Sequence, residues 1–249
     1  MTGGSTETVT CAVAQARLVE VRRLKDLQPV LYDREFLERA DPSLQLYEIY
    51  RDCCDEKARD LMQKHDLRYD VTVMPPLLLG EEYGKTRGHY HMPPDQSGLH
   101  AEVFEIIEGE ACFLLQTQHS HDVVNVSLVR ATKGEKVLIH PNQGHVMINP
   151  SAKRLVTGNL ISGSCMQYSD QYLERRGGAY YVLTGGRYER NRNYSSVPEI
   201  RVLRNENPGF LEGSSGLVEI FLKDPSRFAF LNDFDARWKE NVAGGAGWW

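Results

Sequence analysis

From Tyr69 to Thr184 the chain is broken by turn residues into short apolar runs, and that rhythm most narrows what it can fold into. The runs are AEVFEII, EACFLLQT, DVVNVSLVR, EKVLIH, HVMIN, RLVTGNLIS and AYYVLT. Between most of them stand EGE, QHSHD, KGE, PNQGH or NPSAK. Runs rich in β-branched residues and closed by Gly, Pro, Asn or Asp fold as strands joined by tight turns. Many such strands in succession predict a mainly β domain, closed as a small barrel or a two-sheet sandwich. No internal repeat is present.

The texture differs on either side. The segment 1–65 opens on small polar residues, with 1–8 expected to be disordered, and then becomes charged. Within it, DREFLERADPSLQLYEIYRDCCDEKARDLMQKHD has helix-like spacing, so an N-terminal arm with short helices is expected. The β domain is placed at 66–197 and a C-terminal extension at 198–249. In that extension EIRVLRN and GLVEIFLKD read as strands and PSRFAFLNDFDARW as a short helix, serving packing or dimerisation.

The formal net charge is −5 and no long basic run occurs, so neither nucleic acid nor an acidic membrane is expected as a partner. No secretory pattern opens the chain, and no run has the length of a membrane span. The five cysteines, Cys11, Cys53, Cys54, Cys112 and Cys165, fit neither a disulfide framework nor a CxxC zinc site. Reduced structural thiols and a cytoplasmic location are the expectation.

The chemistry concentrates in GKTRGHYHMPPDQSGLHAEVFEIIEGE. His89 and His91 are two residues apart, which puts both imidazoles on one face of a strand, where they can share a cation. Gly88 allows a turn or a close backbone approach just before them. A carboxylate follows on AEVFEII, where Glu102 and Glu105 lie on opposite faces; periodicity alone leaves both open. His145 begins a strand after the turn PNQG and offers a third imidazole. Three histidines and a carboxylate suit a first-row divalent metal with positions left for substrate. A second HxH, His119 and His121, falls in a polar hairpin tip and is read as solvated surface. His100 and His140 are not expected to be ligands.

The pattern TxGHxH…E…G followed by PxxxHxxxN resembles the two cupin motifs. More narrowly, Lys85-Thr86-Arg87-Gly88-His89-Tyr90-His91 resembles the signature of the cupin-type, metal-dependent glucose-6-phosphate isomerases, over roughly Thr72 to Gly177. The resemblance implies a cupin double-stranded β-helix (jelly-roll barrel). It implies metal ligands His89, His91, Glu102 and His145, and so selects Glu102 over Glu105. It places the substrate phosphate at Thr72, Thr86 and Gly88. Lys85 and Arg87 are read first as surface charges and second as phosphate steering. Three departures stand out: a longer link between His91 and Glu102 containing Pro93, Pro94 and Gly98, Phe104 where the family has Tyr, and a poorly aligned later Tyr segment. Tyr168 or Tyr172 is expected to fill the place of that segment, and Tyr50 to reach the pocket from the N-terminal arm.

The function so implied is aldose–ketose isomerisation of glucose 6-phosphate and fructose 6-phosphate, with Glu102 as the base. The metal is expected to be iron(II), with manganese, zinc or nickel as substitutes, and the assembly a homodimer. Another cupin enzyme, acting on a different sugar phosphate or on oxygen, and a non-catalytic sugar-binding cupin are the alternatives.

Overall fold

The computed structural model describes residues 17–92, 100–119 and 122–234. Among these residues sixteen strands form three sheets. They are β1 (Arg17–Arg23), β2 (Gln45–Arg51), β3 (Leu67–Met74), β4 (Leu78–Leu79), β5 (Glu82–Lys85), β6 (Tyr90–Met92), β7 (Glu102–Glu108), β8 (Glu110–His119), β9 (Asp122–Thr132), β10 (Lys136–Ile139), β11 (Gln143–Asn149), β12 (Leu155–Ser162), β13 (Met166–Tyr168), β14 (Tyr180–Leu183), β15 (Arg187–Arg190) and β16 (Arg201–Leu203). One sheet runs β1-β2-β3-β12-β7-β10. The facing sheet runs β15-β14-β5-β11-β8-β9-β16 with β4 beside β5, and β6 and β13 form a small ribbon. All pairs are antiparallel except β16 on β9, which is parallel. The mainly β, two-sheet expectation for the cupin class is met.

The six-stranded sheet shows how alternation sorts its residues. On β7, Phe104 and Ile106 join the core between the sheets, while Val103 and Ile107 belong to a second cluster on the outer face. On β12, Val156 and Leu160 face outward and Leu155 inward; on β3, Tyr69 and Val71 face outward and Met74 inward. Helix Glu56–Lys64 covers the outer face with Met62. The chain from Leu211 to Phe234 completes the cover with Leu217, Ile220, Phe221, Phe228, Phe230 and Leu231. Burial of each such side chain stabilises by about 1.5–3 kcal/mol.

Two expectations change. The segment before residue 66 does hold helices, Arg34–Arg39 and Glu56–Lys64. However, RLVEVRR and QLYEIYR are strands that extend the barrel sheet, pairing β1 to β2 and β2 to β3. Their charged residues hid this, because one face of these strands lines a polar cavity instead of a dry core. GLVEIFLKD is a helix, Leu217–Lys223, not a strand: Leu217, Ile220 and Phe221 are buried at helical spacing. The 225–231 segment is helical, as expected. The residues 1–8, Cys11, the 93–99 link, His121 and the last residues of the extension lie outside the described residues. Among the described residues Cys53, Cys54 and Cys112 are free thiols. Among the described residues no helix is long and apolar enough to cross a membrane.

Candidate metal centre

Four side chains from three segments of the sequence meet inside the barrel. His89 forms an isolated antiparallel bridge with His145, their backbones exchanging hydrogen bonds of 3.3 and 3.0 Å. His91 lies on β6, opposite Gln167. His145 lies on β11, opposite Leu115. Glu102 opens β7 between Ile139 and Ile161. Gly88 has φ +87°, and a Cβ there would lie 2.7 Å from the Tyr172 ring; at Gly144 one would lie 2.4 Å from Tyr90. Both glycines let the His-bearing backbones approach closely over these two rings.

His89 Nε2 and His91 Nε2 are 3.0 Å apart. Glu102 Oε2 lies 3.3 Å from His91 Nε2 and 3.4 Å from His145 Nε2. One donor atom from each of the four residues lies within 4.8 Å of the others. His91, Glu102 and His145 are buried, and His89 is half-buried. Burial holds the His145 imidazole down to about 4 and pushes His89 and His91 well below the usual range, helped by their mutual proximity. Neutral imidazoles cannot form ion pairs with Glu102, so these contacts are lone pairs converging on one point. Burial, then Asp70, pushes the Glu102 carboxyl well above its usual range; Arg68 and Asn159 oppose this. Glu102 Oε2 and both His145 ring nitrogens are buried without hydrogen-bond partners. Buried polar atoms in that state are costly unless something else binds them. A divalent cation would satisfy Glu102 Oε2 and His145 Nε2 together with the facing nitrogens of His89 and His91, so the residues fit the expected metal.

One cavity leads to this cluster. Thr72, Thr86, Gly88, Phe104, His89, Glu102 and His145 all line it. Thr86 Oγ1 accepts from Met147 N at 3.0 Å, leaving its own hydroxyl proton to donate. The three tyrosines expected at the pocket do not line it. Tyr50 points to the opposite face of β2, where its hydroxyl donates to Glu48 at 2.7 Å. Tyr172 is fully buried beneath Gly88 and Gly144. Tyr168 alternates away, so its neighbours Gln167 and Ser169 line the cavity.

Sequence reasoning missed Tyr47, Arg22, Arg51, Asp70 and Asn159, which line the same cavity. Once 45–51 is a strand, alternation puts Tyr47 with Ile49 and Arg51 on the cavity face. The signal for Asn159 was present: Thr157 and Asn159 are the polar residues of one face in RLVTGNLIS. Lys85 is not a surface charge. It is buried, donates to Val30 O at 2.9 Å and pairs with Glu82, because that face of β5 is covered by the chain around Val30 and Tyr181. Arg87 lines the cavity instead of facing bulk solvent. Among the described residues His100 and His140 stand outside the four-donor group. His100 Nδ1 lies 3.0 Å from Leu231 O.

A family model for glucose-6-phosphate isomerase (GPI) matches residues 21–199. The glucose-6-phosphate isomerase of Thermococcus onnurineus is 33% identical over 132 residues, covering 52% of this chain and 61% of that protein. That of Thermococcus litoralis is 31% identical over 140 residues, 55% and 65%. That of Pyrococcus horikoshii is 32% identical over 133 residues, 52% and 62%. The chain thus spans somewhat less than two thirds of these relatives' length. Among solved structures, the Lactobacillus farciminis oxalate decarboxylase–formate complex aligns at TM-score 0.36 and 14% identity, over 48% of this chain and 29% of that one. With most of its length matched by that family model, the chain belongs to the glucose-6-phosphate isomerase family, in its cupin type.

Proposed function

We propose that the protein interconverts glucose 6-phosphate and fructose 6-phosphate using a divalent metal, iron(II) foremost, as a cytoplasmic homodimer. The observation that carries this is the shared cavity: His89, Glu102 and His145 of the four converging donors line one space with Thr72 and Thr86. Thr72, Thr86 and the Gly88 backbone bind the phosphate and fix the register of the sugar. Arg22 and Arg87 strengthen the case for an anion. Both line the cavity, and each has a buried Nε without a hydrogen-bond partner. His89, His91, Glu102 and His145 hold the cation, which when bound supplies positive charge against the enediolate oxygens. Glu102 takes the proton from C2 and returns it to C1, while the O2 hydroxyl proton passes to O1. Tyr47 and Ile49 wall the cavity. A hydride shift from C2 to C1 is the competing route, and only the proton route carries deuterium from solvent into product.

The test is a coupled isomerase assay on protein stripped by chelation and reloaded with iron, manganese, zinc or nickel in turn. Turnover restored by at least one metal is expected. Metal uptake without turnover on any of them overturns the isomerase reading. Phe104, which lacks a hydroxyl in the cavity, favours a second reading, sugar-phosphate binding without catalysis; sugar phosphate bound by the metal-loaded protein without turnover would favour it.

A further inference from the structure

Glu102 has two carboxylate oxygens in different surroundings. Oε2 faces His91 and His145 and has no hydrogen-bond partner. Oε1 accepts a hydrogen bond from Asn159 Nδ2 at 2.7 Å. Asn159 is itself buried, on β12 opposite Phe104 of β7 and Asp70 of β3. It therefore sits in the middle of the sheet that carries Glu102, with its backbone held from both sides. Arg68 is engaged by Asp70 at 2.8 Å, and among the described residues Asn159 is the side chain that hydrogen-bonds Glu102.

We propose that Asn159 is a positioning residue: its amide fixes the Glu102 rotamer and occupies Oε1, so that Oε2 alone is presented to the cation. This rests on the four-donor reading of the centre. A carboxylate free to rotate offers both oxygens and takes up a position that the sugar oxygens need. A carboxylate held by an amide offers one, and it enters the centre with its orientation already paid for. Asn159 also differs in kind from the threonines and arginines of the cavity, since it acts on the substrate only through Glu102.

Partners of this type set metal affinity by about 10- to 100-fold. The experiment measures cobalt(II) affinity by chelator competition, and the cobalt absorption spectrum, in wild type, Asn159→Leu, Glu102→Gln and the double variant. Asn159→Ser is carried in parallel, so that misfolding of one variant leaves the comparison intact. The expected result is a 10- to 100-fold weaker affinity with an altered spectrum in N159L, and no further loss when N159L is added to E102Q. Unchanged affinity in N159L and N159S, or the same loss with and without Glu102, overturns the inference while leaving the metal centre standing. A wild type that takes up no cobalt overturns the centre itself.

Discussion

Strand β7 carries two buried carboxylates on opposite faces, and their surroundings differ in one respect. Glu105 is satisfied: Oε1 accepts from the Tyr69 hydroxyl at 2.5 Å and Oε2 from Leu217 N at 3.0 Å. It thereby ties the outer face of the barrel to the start of helix Leu217–Lys223. Glu102 has one oxygen held by Asn159 and one aimed at imidazoles with nothing between. Both carboxyls are pushed up by burial, so a raised pKa does not separate them. Hydrogen-bond completeness does. The satisfied acid belongs to the architecture, and the unsatisfied one to the chemistry.

The sharpest way to break that comparison is Glu102→Gln, which keeps shape and removes charge. It is expected to lower kcat by roughly 10⁴-fold, the upper range for loss of a general base, in the coupled assay, with the fold intact by circular dichroism. Activity near wild type would place the chemistry elsewhere. On the outer face, Phe228→Ala removes a fully buried ring between Phe221 and Phe230. It is expected to cost about 4 kcal/mol in urea unfolding and to leave turnover per folded molecule where it was.

Acid sharpens the contrast next. In the metal-free protein, burial holds His145 inside the barrel and His140, beside Phe234, down to about 4. The unfolded chain protonates near 6.5 while the native state does not, so stability falls as pH drops from 6.5 toward 4. Each histidine contributes about 2 kcal/mol of that loss by pH 5. Urea midpoints at pH 7 and pH 5 should show it, with His140→Asn removing one share. The smallest effect is expected from Glu105→Gln, about 1.5 kcal/mol of stability with kcat unchanged. A large fall in kcat there would erase the distinction drawn between the two faces.

Much of the barrel is legible in the sequence because strands such as AEVFEII and RLVTGNLIS sort apolar from polar residues at period two. The histidines are legible for a related reason: the spacing of His89 and His91 has meaning on a strand, and PNQG announces the strand of His145. Periodicity could not choose between Glu102 and Glu105, because both faces of β7 are buried and each offers acceptable neighbours. β1 and β2 were hidden by their charges, since Arg22 and Arg51 face a polar cavity and so mimic a solvated surface. The roles of Lys85 and Tyr50 depend on what covers each face, which is tertiary information.

The position of β12 has a consequence for when this centre can come into being. It lies between β3 and β7 in the sheet, although it follows both in the chain. During synthesis His89 and His91 emerge first, then Glu102, then His145, and Asn159 last of all. A ribosome-bound chain that stops short of β12 has all four donors but a sheet with a gap at its centre. Closing that gap joins segments far apart in sequence, which makes it a slow step. The strand that brings Asn159 to Glu102 is thus the last of these three strands to be made, and it completes the middle of the sheet.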